Sequence, residues 1–246
     1  MIWLVAAFFV TAVLYASVGF GGGSTYSALL ALSDVDYRIL PLLALTCNIV
    51  VVAGSTVRFA RAGVTPWKGA LTLTAIAAPA AFVGGITPIE ESAFMALLGG
   101  SLVVAGLALL LPITESTERP AKLAPLMPFA AAPLGFLAGL VGIGGGIFLA
   151  PLLHLARWNT ARGIAATASV FILVNSLFGI AGQVLKGGEG RLAAAVDLGL
   201  PLLIAVAIGG QLGSLLAVKY LPQRWIRLAT AALTIWVGGR LLLALW

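Results

Sequence analysis

Charge is the scarcest property of this 246-residue chain. Only 9% of its residues are Asp, Glu, Lys or Arg, where a soluble domain carries about 25%. A fold with a solvated surface on every side is excluded, and the chain belongs in a lipid bilayer. Cysteine occurs once, at Cys47, so no intrachain disulfide can form. Histidine also occurs once; one Cys and one His cannot build a metal cluster, and no cofactor is expected. A basic segment is missing before the first apolar run, which opens Met1-Ile2-Trp3-Leu4. A secretory signal needs one, so residues 2–18 are expected to be a retained helix.

Hydrophobic residues make up 61% of the chain. They fall into runs read as Ile2–Val18, Ser24–Leu32, Ile39–Val57, Gly69–Ile86 and Ala93–Leu111, then Pro125–Val141, Ile147–Ala156, Ile164–Leu185, Leu192–Ala217 and Ile226–Trp246. Most are long enough to cross the hydrocarbon core, which takes about 20 helical residues. The polar stretch Ile113–Leu123 separates two similar halves. The expected organisation is therefore an all-α polytopic membrane protein, with repeats over 1–112 and 125–246 and a linker over 113–124. The net charge of +6 does not indicate nucleic acid, because the basic residues sit in short loops between apolar runs, as orientation in a membrane requires. Trp3, Trp67, Trp158, Trp225 and Trp246 lie near segment ends, where interfacial anchors belong.

Each half carries the same interruption. Gly19-Phe20-Gly21-Gly22-Gly23 recurs as Gly142-Ile143-Gly144-Gly145-Gly146, 123 positions later. Each glycine costs about 1 kcal/mol relative to alanine inside a helix, so both helices are predicted to break here. Broken backbone at membrane depth is tolerated only where protein or a water-filled cavity surrounds it. Paired breaks in two halves point to a transporter's binding site.

If each break turns the chain back as a re-entrant hairpin, ten of the fourteen basic residues share one side, among them Arg58, Arg61, Arg157 and Arg162. Arg38, Lys186, Arg191 and Arg240 are left on the other. If each broken helix crosses fully, the split is eight to six. The positive-inside rule therefore favours hairpins, inverted halves and both termini outside, in a bacterial-type inner membrane.

The half helix after each break starts with unpaired N–H groups and a positive dipole end. Gly21, Gly22, Gly23, Gly144, Gly145 and Gly146 let a ligand approach the backbone, and Ser24 and Thr25 add hydroxyls. Such a site suits a small anion without a buried cation. The bland alternative is close helix packing, although contiguous GGG is not the small-xxx-small spacing that packing uses. Gly19-Phe20-Gly21-Gly22-Gly23 does not fit a nucleotide-binding loop. Thr46 and Asn48 in the first half, and Thr167, Ser169 and Asn175 in the second, follow the breaks as further candidate lining residues; ordinary interhelical hydrogen bonding is the competing reading. Asp197 is the only acid well inside an apolar run, hence a candidate for proton coupling, with an interfacial location as its alternative. An anion channel also fits these residues. An intramembrane enzyme with Ser24 as nucleophile and His154 as base lacks an orienting acid, and no enzymatic activity is expected.

The two glycine runs, in Tyr15–Ser24 and Ala138–Ile147, resemble those of the TauE/SafE family of sulfite exporters. The second copy, followed by Pro151 and Ala165–Ser169, is the closer match; the first departs in carrying Ser24-Thr25-Tyr26. The resemblance covers nearly the whole chain. It implies a secondary transporter, usually an exporter, of small sulfur-containing anions such as sulfite, sulfonates or thiosulfate, driven by an ion gradient. Direction, coupling ion, oligomeric state and the alternative of an uptake carrier for another organic anion stay open at this point.

Overall fold

A computed structural model describes residues 2–18, 21–111, 124–216 and 223–245. Nine α-helices occupy them: α1 (Ile2–Val18), α2 (Gly23–Ala31), α3 (Leu40–Arg61), α4 (Trp67–Ile86), α5 (Glu91–Leu110), α6 (Met127–Val141), α7 (Gly146–Leu155), α8 (Ala161–Leu216) and α9 (Gln223–Leu243). No strand occurs among the described residues. Six helical stretches there are long and apolar enough to cross a membrane, two of them within α8. The expected linker Ile113–Leu123 lies outside the described residues, as do Gly19 and Phe20.

The helices fall within a few residues of the expected runs, with one correction. The runs Ile164–Leu185 and Leu192–Ala217 leave a gap between them, yet helix continues from Ala161 to Leu216. Glycine weakens a helix without forbidding it. This helix is not straight. Gly179 packs on Leu45 and Gly199 on Leu43, although twenty residues of straight helix would separate them by about 30 Å. The chain therefore folds back between them, around Gly187, Gly188 and Gly190. In the first limb, the pairs Leu45–Gly179 and, around Gly21, Val52–Ile172 run antiparallel to α3. In the second, Leu43–Gly199 and Val51–Gly210 run parallel to it.

Small residues set the helix spacing. Lipid tails are as apolar as Leu, so helices in a membrane associate through close packing rather than expulsion of water. Gly135 and Gly139 of α6 lie against the backbone of Ala77 and Ala81 of α4, while Gly84 of α4 lies against Phe136. Gly209 and Gly213 of α8 lie in the same way against Phe9 and Val13 of α1. Phe136 and Val13 are 123 positions apart, the offset of the two glycine motifs. Buried apolar residues form two clusters. One joins α1, α2, α3 and α5 to the second limb of α8, and the other joins α4, α6 and α7 to its first limb.

Both broken helices turn the chain back. In the second half, α6 runs parallel to α4, and the Trp158 ring after α7 packs on Gly69 at the start of α4. The chain thus returns to the end from which α6 set out. In the first half, α1 and α3 both run parallel to the second limb of α8, so α2 reverses direction between them. Phe8 of α1 stacks on Tyr26 of α2, ring centroids 4.7 Å apart.

Candidate functional site

Glycine is required at the breaks by backbone geometry. Gly142 ends α6 with φ +79°, and its N–H donates to the Ala138 carbonyl at 3.1 Å. This is the left-handed cap that glycine adopts without penalty. Gly22 and Gly145, each immediately before its short helix, both have φ +77°, and Gly144 has φ +81°. A residue with a Cβ is disfavoured in this region by roughly 1–2 kcal/mol.

The two breaks meet. Gly23, the first residue of α2, lies against the carbonyl oxygen of Ile143 in the other motif, leaving no space for a Cβ. Asn48 of α3 occupies the junction, fully buried. Its Nδ2 donates to the Ile143 carbonyl at 3.3 Å. A Cβ on Gly21 would come to 2.6 Å from its Oδ1, and one on Gly144 to 2.7 Å from its Nδ2. Ile172 of α8 also touches Gly21, Gly144 and Gly146. The N-terminal ends of α2 and α7 therefore converge in the protein interior, among buried residues.

The first break is rich in hydroxyl groups. Ser24 and Thr25 are buried, and the Tyr15 hydroxyl shares a 2.8 Å hydrogen bond with the Thr25 hydroxyl. Tyr15 also reaches Ser24 and, on α9, Thr230. The Tyr26 ring lies against Gly22. Several buried polar atoms have no hydrogen-bond partner among the described residues: the Tyr26 hydroxyl, Ser27 Oγ, Asn48 Oδ1, both amide atoms of Asn175, and Ser176 Oγ. Unsatisfied polar groups are costly inside a protein and call for an explanation. At the matching positions 123 residues on, the second break carries Ala138, Ile147, Phe148, Leu149 and Ala150, so the polar groups are concentrated on one side.

The remaining candidates divide. Thr46, Thr167 and Ser169 each bond to the carbonyl four residues back, of Leu42, Gly163 and Ala165. This is the ordinary way a membrane helix satisfies a hydroxyl. Asn175 lies one turn beyond Ile172 and is fully buried. Asp197 is exposed on the surface of α8. His154 is in the last turn of α7, well past the break. Among the described residues no group of three or more His, Cys, Asp or Glu can hold a metal ion. Sequence reasoning overlooked Tyr15, Tyr26 and Thr230. Tyrosine hydroxyls beside the motif were a legible signal, whereas Thr230 reaches the site only through tertiary packing.

Comparison with known proteins agrees with this architecture. The profile of the family described as Sulfite exporter TauE/SafE matches residues 4–241. Probable membrane transporter protein y4hK of Sinorhizobium fredii is 34% identical over 251 residues, covering 98% of each chain. Probable membrane transporter protein MJ0441 of Methanocaldococcus jannaschii is 26% identical over 228 residues, covering 88% of this chain and 84% of its own. No solved structure matches.

Proposed function

The chain belongs to the TauE/SafE sulfite exporter family and is a multi-pass membrane transporter; from that premise we propose that it is a secondary transporter that exports small sulfur-containing anions, such as sulfite or organosulfonates. The anion is held where the N-termini of α2 and α7 converge, by backbone N–H groups and the hydroxyls of Ser24 and Thr25. One observation carries this reading: Gly23 of one break lies against Ile143 of the other, with Asn48 between them. Two helix N-termini brought together deep in a membrane protein favour negative charge, and the unpartnered amide of Asn175, one turn beyond Ile172, is a further candidate donor.

The two halves are read as inverted repeats. The parallel pairs α1 with the second limb of α8, and α6 with α4, support that arrangement. The Trp158–Gly69 contact supports a shared side for the basic loops at 58–68 and 157–162. By the positive-inside rule that side is cytoplasmic and both termini are outside, in a bacterial-type inner membrane. Protons are the proposed coupling ion and Asp197 the candidate carrier; an unchanged pH dependence of transport in Asp197→Asn would remove it from that role.

The test is thermal stability of the purified protein with sulfite, sulfonates and a carboxylate control. A ligand at 100 times its dissociation constant stabilises by about 2.7 kcal/mol. A shift with a sulfur anion, lost in Gly145→Leu, is expected. A shift with the carboxylate alone would retain the site and discard the sulfur substrate.

A further inference from the structure

The junction of the two breaks is polar and deeply buried, yet among the described residues it has no countercharge. Tyr15, Ser24, Thr25, Tyr26 and Asn48 are all nearly or fully buried. The unpartnered Asn48 Oδ1 faces Gly21 and Gly23, and the Tyr26 ring, whose hydroxyl is also unpartnered, lies on Gly22. Among the described residues the titratable groups around the junction are Tyr15, Tyr26 and Cys47, all neutral when protonated.

The cations on the surrounding elements are engaged elsewhere or lie at helix ends. Arg227, one turn before Thr230 on α9, donates to the carbonyls of Leu109 and Leu111 at the end of α5. On α3, Arg58 lies ten residues past Asn48 and bonds to Ser55. On α8, Arg162 is exposed ten residues before Ile172. On α7, His154 is eight residues past Gly146. Ten residues of helix are about 15 Å. Among the described residues, none of these places a free positive side chain at the junction.

The electrostatic consequence is specific. Each helix N-terminus contributes the equivalent of roughly half a positive charge, so α2 and α7 together balance about one negative charge. Desolvating an ion costs energy in proportion to the square of its charge, so a dianion costs about four times as much as a monoanion of equal size. We propose that this site selects the monovalent form of its substrate, hydrogensulfite or a sulfonate, and rejects divalent sulfite, sulfate and thiosulfate. The inference rests on the breaks being the anion site.

The experiment uses the purified full chain in detergent and four probes: methanesulfonate, sulfite, sulfate and thiosulfate. Methanesulfonate should raise the melting temperature equally across pH, since it is a monoanion throughout. Sulfite should bind about tenfold more weakly for each pH unit above its second ionisation, following the hydrogensulfite fraction. Sulfate and thiosulfate should produce no shift. A shift from either dianion at concentrations where methanesulfonate acts, or a pH-independent sulfite affinity, overturns the charge selection. If that dianion shift disappears in Gly145→Leu, the anion site survives while the selection fails. If none of the four anions shifts the melt, both the site and the selection fall.

Discussion

At the scale of single residues, backbone conformation and local clearance act separately. Gly63, in the exposed turn after α3, has φ +67° and nothing within 4 Å of where a Cβ would stand. Gly63→Ala should therefore lower stability by roughly 1–2 kcal/mol through backbone strain alone, read as a lower melting temperature. Gly100 of α5 is helical with equally open surroundings. There alanine restricts the unfolded chain and improves helix propensity, so Gly100→Ala should stabilise by about 0.5–1 kcal/mol in the same measurement. Asn48 is the opposite case, because its amide joins the two halves. Asn48→Ala leaves the Ile143 carbonyl without that donor, and a loss of about 1–3 kcal/mol is expected. The sequence marked Asn48 as a polar residue in an apolar helix. It could not mark the partner, Ile143, because that contact uses a backbone oxygen and spans 95 positions.

At the scale of helices, the important feature is how closely two backbones approach. Gly135 and Gly139 sit on the Ala77 and Ala81 backbone of α4 with no room for a side chain. Gly139→Leu should separate α4 from α6 and prevent recovery of folded protein, measured as loss of the monodisperse peak in size-exclusion chromatography. Gly239 of α9, with nothing within 4 Å, is the control: Gly239→Ala should be recovered normally. Helix positions were legible from hydropathy because lipid demands about 20 apolar residues per crossing. The fold-back of α8 was legible as the gap between the runs Ile164–Leu185 and Leu192–Ala217, but not as continued helix. Glycine propensity lowers the odds of helix at a position, while tertiary contacts on both limbs decide the outcome.

For the molecule as a whole, the direction of each hairpin fixes which loops share a side. Trp158 on Gly69 puts the turn after α3 beside the turn after α7. Asp36 and Glu91 share a pocket at the other end. With Cys47 replaced by serine, single cysteines at Ala62 and Asn159 should react with a membrane-impermeant thiol reagent from one face of the bilayer. Cysteines at Asp36 and Glu90 should react from the other. Labelling of Ala62→Cys and Asn159→Cys from opposite faces would mean that the broken helices cross rather than turn back.

The sequence by itself determined the membrane class and the duplicated breaks. Charge scarcity, apolar run length and contiguous glycine act locally and can be read along the chain. Tertiary structure alone decided that the two breaks touch, that Asn48 stands between them, and that Tyr15 and Thr230 gather at the first break. Those relations join residues from tens to more than two hundred positions apart. They depend on which helices pack in parallel, and that is set by the fit of small residues across interfaces rather than by the composition of any one segment.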